Sequence, residues 1–180
     1  MKNAILNQYL HQKIKEVILY ILDKTGGISY FQLMKVMFCA ERNNLMAWGE
    51  PLTSLDYYAK KHGPVPEKAY RSITAVRDGR PSIYEDIISF VNKYEIRATR
   101  KPDMNYLSKS DVDSIDKAIT ELSGMEHNDI ENYLHDDVYN RVFASKKRLY
   151  NMADIAESAG ADCNIIARIN ENQNIQKALV

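Results

Sequence analysis

The segment from Leu33 to Met46 constrains the fold most, because its apolar residues occupy nearly every side of a helix. A helix of this kind has to be surrounded by other elements of the protein. Ser29, followed three residues later by Gln32, predicts a capping box at its start, and Gly49 with Pro51 predicts its end. We therefore expect a central, buried helix on which the other elements pack.

Further helices are predicted by apolar residues at spacings of three and four along the chain. The first covers residues 4–22 and ends at Gly26-Gly27. The others begin at Pro66, at Ser110 with Asp113, and at Asn128 with Glu131, the last of these breaking near residues 135–137 and continuing through Phe143. Two short helices, at 151–159 and 163–178, are separated by Gly160.

Two segments alternate like strands. Residues 52–61 place Leu55, Tyr57 and Ala59 on one face, and they lead into His62-Gly63-Pro64-Val65-Pro66, where the prolines predict an extended turn. Residues 94–98 with 104–107 predict a β-hairpin, while residues 83–91 fit a helix and a strand equally. The fold class is therefore mainly α (α+β), a compact helical domain with a small antiparallel β-hairpin or sheet. We expect a single domain over residues 1–180.

Composition excludes several classes of protein. Lys and Arg number 24 and so do Asp and Glu, so the formal net charge is zero, which disfavours a general nucleic-acid binder. Two cysteines are too few for a disulfide framework and indicate reduced thiols. There is no apolar run long enough to span a bilayer and no signal-peptide pattern, so we expect a cytoplasmic protein without membrane partners.

The neutral total hides a polarity along the chain. Residues 110–140 contain nine acidic residues against Lys117 alone, a charge of −8, whereas residues 60–109 carry 11 basic and 6 acidic residues, a charge of +5. The acidic segment could pair with basic faces of the same fold, or it could select a basic partner by electrostatic steering. The sequence leaves both readings open.

No chemistry-bearing motif stands out. Cys39 lies within the apolar helix, where a thiol is usually inert, and Cys163 follows near a helix start without a histidine pattern to activate it. The spacing of His127 and His135 fits no compact metal-ligand signature, and there is no glycine-rich phosphate loop. We therefore expect no catalytic residues, no metal and no cofactor. The aromatic and basic run at residues 57–62 suits stacking of single-stranded nucleic acid or a protein interface.

Several motifs together resemble the Panacea domain of SocA-like antitoxins and phage-associated proteins. They are Leu33–Phe38, Gly49-Glu50-Pro51-Leu52, Tyr58-Ala59, the 62–66 segment with Tyr70 four residues on, and Leu134-His135-Asp136-Asp137 with Tyr139. The resemblance covers roughly residues 10–145 and leaves 150–180 as a C-terminal helical extension. Phe38 stands where the family usually has tyrosine.

The resemblance implies an antitoxin that neutralises a cognate toxin by direct protein–protein binding, without catalysis. It also leaves open an adaptor that delivers the toxin to a cytosolic protease, and the basic 60–109 segment leaves a nucleic-acid-binding regulator as a weaker alternative. An enzyme acting through His62 or His135 would need a pocket that joins the two. We expect the partner to contact the proline-fixed turn and its neighbours: Tyr58, Lys60, Lys61, His62, Gly63, Pro64, Val65, Pro66, Tyr70 and His135.

Overall fold

The helices account for most of the chain in the computed structural model, which describes residues 2–178. They are α1 (Lys2–Thr25), α2 (Tyr30–Trp48), α3 (Glu67–Arg77), α4 (Lys109–Leu122), α5 (His127–Leu134), α6 (Asp137–Ala144), α7 (Met152–Ser158) and α8 (Cys163–Ala178). The strands are β1 (Ile28–Ser29), β2 (Tyr57–Lys60), β3 (Gly63–Pro66), β4 (Ile88–Phe90) and β5 (Glu95–Ala98). The predicted class, mainly α with a small antiparallel β part, is confirmed.

Helix α2 is the centre of the fold, as its all-round apolar sequence predicted. Every residue from Leu33 to Leu45 is buried, and the helix packs against α1, α4, α7 and β3. Ser29 and Gln32 form the predicted capping box, in which the Ser29 hydroxyl accepts a hydrogen bond from the Gln32 amide at 3.1 Å. Gly49 ends the helix with φ 69°, a left-handed conformation that glycine adopts without a steric penalty.

The strand at residues 95–98 does not pair as predicted. Residues Met104–Tyr106 form a 3₁₀ turn capped by Asp103, so they cannot supply the second strand. Strand β5 lies instead between β1 and β4 in a three-stranded antiparallel sheet, which buries Ile96 and Ile88. Pairing with β1 and β4 buries these side chains, and the ambiguous 83–91 segment therefore contains a strand near its end, at Ile88–Phe90.

Residues 63–66 are extended, as expected, but they form a paired strand rather than a turn. Gly63–Pro66 is itself a strand that pairs antiparallel with β2, and the turn consists of Lys61 and His62. The backbone groups of Tyr57 and Ala59 form hydrogen bonds with residues 150 and 148, on the side of β2 away from β3. The prolines opposite them in β3 therefore need no N–H group. Pro66 precedes α3 as its N-cap rather than forming its first residue.

Two of the three helices that begin at or within the acidic segment, α4 and α6, start at side-chain caps, whereas α5 starts without one. Helix α4 is capped by Ser108 with Asp111, two residues before the predicted Ser110 and Asp113. Helix α5 begins at His127, one residue before the predicted start. The predicted break at residues 135–137 is confirmed, because Asp136 accepts a hydrogen bond from the amide of Tyr139 at 2.7 Å and caps α6.

Part of the acidic segment is neutralised within the fold. Asp111 pairs with Lys13 at 2.9 Å and Asp116 with Lys24 at 3.4 Å. Glu121 pairs with Arg42 of the central helix. For these three acidic residues, the contacts favour pairing with basic residues of the same fold over selection of a basic partner. None of the helices in residues 2–178 combines the length and apolarity needed to cross a bilayer.

Candidate functional site

A cavity of about 650 Å³ opens where the start of α2 meets the β2–β3 hairpin, α3 and α5. Much of its wall is aromatic, formed by Tyr30, Phe31, Tyr70 and Tyr94. The Tyr30 ring lies 6.2 Å from that of Tyr70 and 6.5 Å from that of Tyr94, measured between centroids. Lysines and histidines also line it, together with Ser29, Met34, Val65 and Glu67, so the site offers both apolar area and polar anchors.

The hairpin brings basic side chains to the rim of the cavity. Lys60 pairs with Glu67 of α3 at 2.8 Å, whereas Lys61 is exposed and makes no ion pair among the described residues. The hairpin backbone is held from behind, because the Tyr139 hydroxyl donates a hydrogen bond to the Lys60 carbonyl at 2.8 Å. The hairpin therefore presents these cations from a fixed backbone.

Lys35 lies beneath the hairpin and is almost completely buried, with 1% of its surface exposed. Its ammonium group donates a hydrogen bond to the Pro64 carbonyl at 3.0 Å and lies 4.9 Å from the centre of the Phe31 ring. Burial disfavours the charged amine and lowers the pKa of Lys35 to about 7. The Lys35 amine thus fastens the hairpin to the central helix, and Lys35 also lines the cavity.

Gly63 is required where the hairpin passes over Lys35. Its φ of +94° is rarely adopted by residues with a side chain, and a Cβ atom there would lie 3.0 Å from Lys35 Nζ. The amine is buried, so it has little room to move away. Glycine therefore permits the close approach on which the Lys35–Pro64 hydrogen bond depends.

We expect Gly63→Ala to lower the free energy of unfolding by about 2 kcal/mol, because it adds a steric conflict to backbone strain. Gly79→Ala is the matched control: Gly79 also has a positive φ, +66°, but a Cβ there would meet no atom within 4 Å. Urea unfolding followed by circular dichroism measures both. Equal costs for the two substitutions would contradict the close-approach argument.

Two histidines converge on one carboxylate at the edge of the cavity. His62 Nδ1 lies 2.8 Å from Glu131 Oε1, and His127 Nε2 lies 2.7 Å from the same oxygen. The His127 ring stacks on Phe31 with 3.7 Å between centroids. Burial alone would raise the pKa of Glu131, but the hydrogen bonds from the histidines hold it below its usual value.

His135 lies behind the hairpin rather than in the cavity. Its ring stacks on Tyr139 with centroids 4.1 Å apart, and its Nε2 atom is buried without a hydrogen-bond partner among the described residues. Burial lowers the pKa of His135 and favours the neutral ring. The cavity is lined by His62 and not by His135, so it does not join the two in the way that an enzyme using both would need.

The expected partner-binding residues divide into two groups. Five of them line the cavity: Lys60, Lys61, His62, Val65 and Tyr70. The other five support the hairpin or lie behind it: Tyr58, Gly63, Pro64, Pro66 and His135. From the sequence, we tested His127 only against His135 and missed its pairing with Glu131, one helical turn away, and we also missed the aromatic wall.

The buried thiol offers no nucleophile at neutral pH. Cys39 is fully buried in α2, and burial raises the pKa of its thiol to about 12. The thiol form therefore dominates, as expected for an inert core cysteine. Cys163 is exposed at the start of α8 and does not line the cavity.

Comparison with known proteins identifies the family of the chain. No curated protein and no solved structure is detectably similar to it. The family described as "Antitoxin SocA-like, Panacea domain" matches residues 33–138, more than half of the chain. The matched segment runs from the central helix into α6 and contains the cavity-lining hairpin, Tyr70 and the His62–His127–Glu131 group. The chain therefore belongs to the family of SocA-like antitoxins defined by the Panacea domain.

Proposed function

We propose that the protein is a cytoplasmic, single-domain antitoxin that neutralises a cognate toxin by direct binding, with no catalysis of its own. The cavity and the adjoining β2–β3 hairpin form the proposed contact surface. Membership of the antitoxin family supports the general role. The observation that carries the choice of surface is the aromatic cavity of about 650 Å³ with cations at its rim.

The residues around the cavity are of the types that dominate protein interfaces. Tyrosines contribute large contact areas at a low cost in conformational entropy and are frequent binding hot spots. Tyr70 and Tyr94 have 36% and 56% of their surface exposed beside the opening, so an incoming side chain can bury them. Lys61 adds a positive charge that forms no ion pair with any described residue and that suits an acidic or polar group on the toxin.

The hairpin is prepared for binding before the partner arrives. Two prolines restrict its backbone, Lys35 holds the Pro64 carbonyl, and Tyr139 holds the Lys60 carbonyl. A surface that is already ordered loses less entropy when a complex forms, so more of the contact energy appears as affinity. This preparation favours recognition by a fixed surface over folding on binding.

The test is co-expression with the product of the adjacent gene, which we take to be the toxin. We expect Tyr70→Ala and Lys61→Glu each to weaken the purified complex by at least about tenfold and to reduce growth rescue on co-expression. Tyr9→Ala and Lys117→Glu are the matched controls, since both residues are exposed outside the cavity, and they should bind as the wild type does. Wild-type affinity in both cavity variants would contradict the proposed surface.

The same co-expression experiment distinguishes direct neutralisation from delivery of the toxin to a protease. Direct neutralisation predicts that the amount of toxin in the cells stays constant. It also predicts that an equimolar amount of purified antitoxin inhibits the activity of the purified toxin. Faster toxin turnover that depends on a cytosolic protease would contradict direct neutralisation and favour the adaptor. Absence of any complex with the toxin would contradict the antitoxin role itself.

A further inference from the structure

We propose that His62, His127 and Glu131 form a binding site for a Zn²⁺-class divalent ion at the edge of the cavity, although the sequence patterns indicated no metal. The ligand atoms are His62 Nδ1, His127 Nε2 and Glu131 Oε1, and all three lie within 4.8 Å of one another. They come from two elements that are distant in sequence, the turn of the β2–β3 hairpin and helix α5.

The distances are close to those of a coordination sphere. With bonds of about 2.0–2.1 Å, a tetrahedral zinc ion places its ligand atoms roughly 3.3 Å apart. The two nitrogen–oxygen distances, 2.8 Å and 2.7 Å, have to lengthen by about 0.5 Å to admit an ion, and the two nitrogens already lie within 4.8 Å of each other. The histidine side chains are 58% and 55% exposed, so they can make this adjustment without disturbing the core.

The donor set points to the class of ion. Two imidazole nitrogens and one carboxylate oxygen suit Zn²⁺ and its neighbours, whereas Mg²⁺ and Ca²⁺ prefer sites made of oxygen atoms. His127 and Glu131 share one face of α5, one helical turn apart, and Phe31 stacks on the His127 ring. Two of the three ligands are thus held on a single rigid element.

Two of the three ligands border the cavity, since both His62 and His127 line it as well as approaching Glu131. Three protein ligands with a free fourth position are the arrangement of zinc sites that accept water or another molecule. A bound ion would also link α5 to the hairpin, so it should raise the melting temperature.

Isothermal titration of the full chain, freed of metal by a chelator, with ZnCl₂ tests the site. We expect one saturable site and a higher melting temperature with ZnCl₂, and neither effect with MgCl₂. His62→Ala and His127→Ala should each weaken zinc binding by at least about tenfold, because even the loss of a residue that only hydrogen-bonds a metal ligand lowers metal affinity by about tenfold or more. His11→Ala, which replaces an exposed histidine of α1, should bind zinc as the wild type does.

The proposal is overturned if zinc shows no saturable binding, or if binding persists unchanged in His62→Ala or His127→Ala. Persistent binding would place the ion elsewhere, for example at the exposed Cys163. Near-ultraviolet circular dichroism of each variant confirms that the fold is retained, so a loss of binding reports the ligand. The toxin is absent from this experiment, so its outcome is independent of the proposed antitoxin function.

Discussion

Replacing Glu41 with alanine is expected to lower the free energy of unfolding by about 4 kcal/mol, because it leaves several buried donors without an acceptor. The Glu41 carboxylate is fully buried in α2 and accepts hydrogen bonds from the amides of Leu52 and Thr53, at 2.8 Å and 3.0 Å. The Thr53 hydroxyl also donates to it, as does the Tyr57 hydroxyl at 3.4 Å. Glu41 therefore fixes the chain that leads into the hairpin.

Urea unfolding followed by circular dichroism measures the effect. Glu171→Ala is the matched control, since Glu171 is an exposed glutamate of a helix, α8, and should change stability by less than about 0.5 kcal/mol. Glu41→Gln keeps one acceptor oxygen and should fall between the two. A loss below about 1 kcal/mol for Glu41→Ala would show that water satisfies the donors and would contradict the prediction.

Lys35 is expected to make the stability of the protein depend on pH between neutrality and pH 9. The folded-state pKa is about 7, below the ordinary value of 10.5, so the unfolded chain binds more protons in this range. Stability therefore rises with pH, and integration from pH 7 to pH 9 gives an increase of about 2 kcal/mol. Below this window the buried amine is charged and its desolvation opposes folding.

Lys35→Met isolates that contribution, because it removes the titrating amine and keeps an unbranched side chain. The difference in unfolding free energy between wild type and variant should shift by about 2 kcal/mol in favour of the wild type from pH 7 to pH 9. Groups that titrate in both proteins cancel in this difference. Parallel pH profiles would mean that Lys35 keeps an ordinary pKa despite its burial.

Local patterns predicted the helices well because their causes are local. The capping box at Ser29 and the left-handed Gly49 set the ends of α2 from residues within one helical turn. The short α7 and α8 flank Gly160 as predicted. Ser108 with Asp111 and Ser110 with Asp113 show the same capping pattern two residues apart, so the local pattern could not identify the observed cap at Ser108.

Strand pairing was harder to predict because alternation identifies a strand but not its partner, and β5 pairs both with the distant β1 and with the neighbouring β4. Strand β5 alternates clearly, yet its partners are β1 and β4 rather than the next segment of the chain. In the same way, the prolines at residues 64 and 66 predicted extended backbone correctly but could not reveal that it pairs with β2.

Motifs, caps and apolar periodicity were sufficient to indicate the family, the mainly helical class and the buried central helix, because these signals act over a few residues. The composition of the site depends instead on contacts between distant segments. His62 and Glu131 meet across 69 positions of the chain, and Lys35 reaches Pro64 across 29. Such contacts depend on how whole elements pack, and no local spacing encodes them.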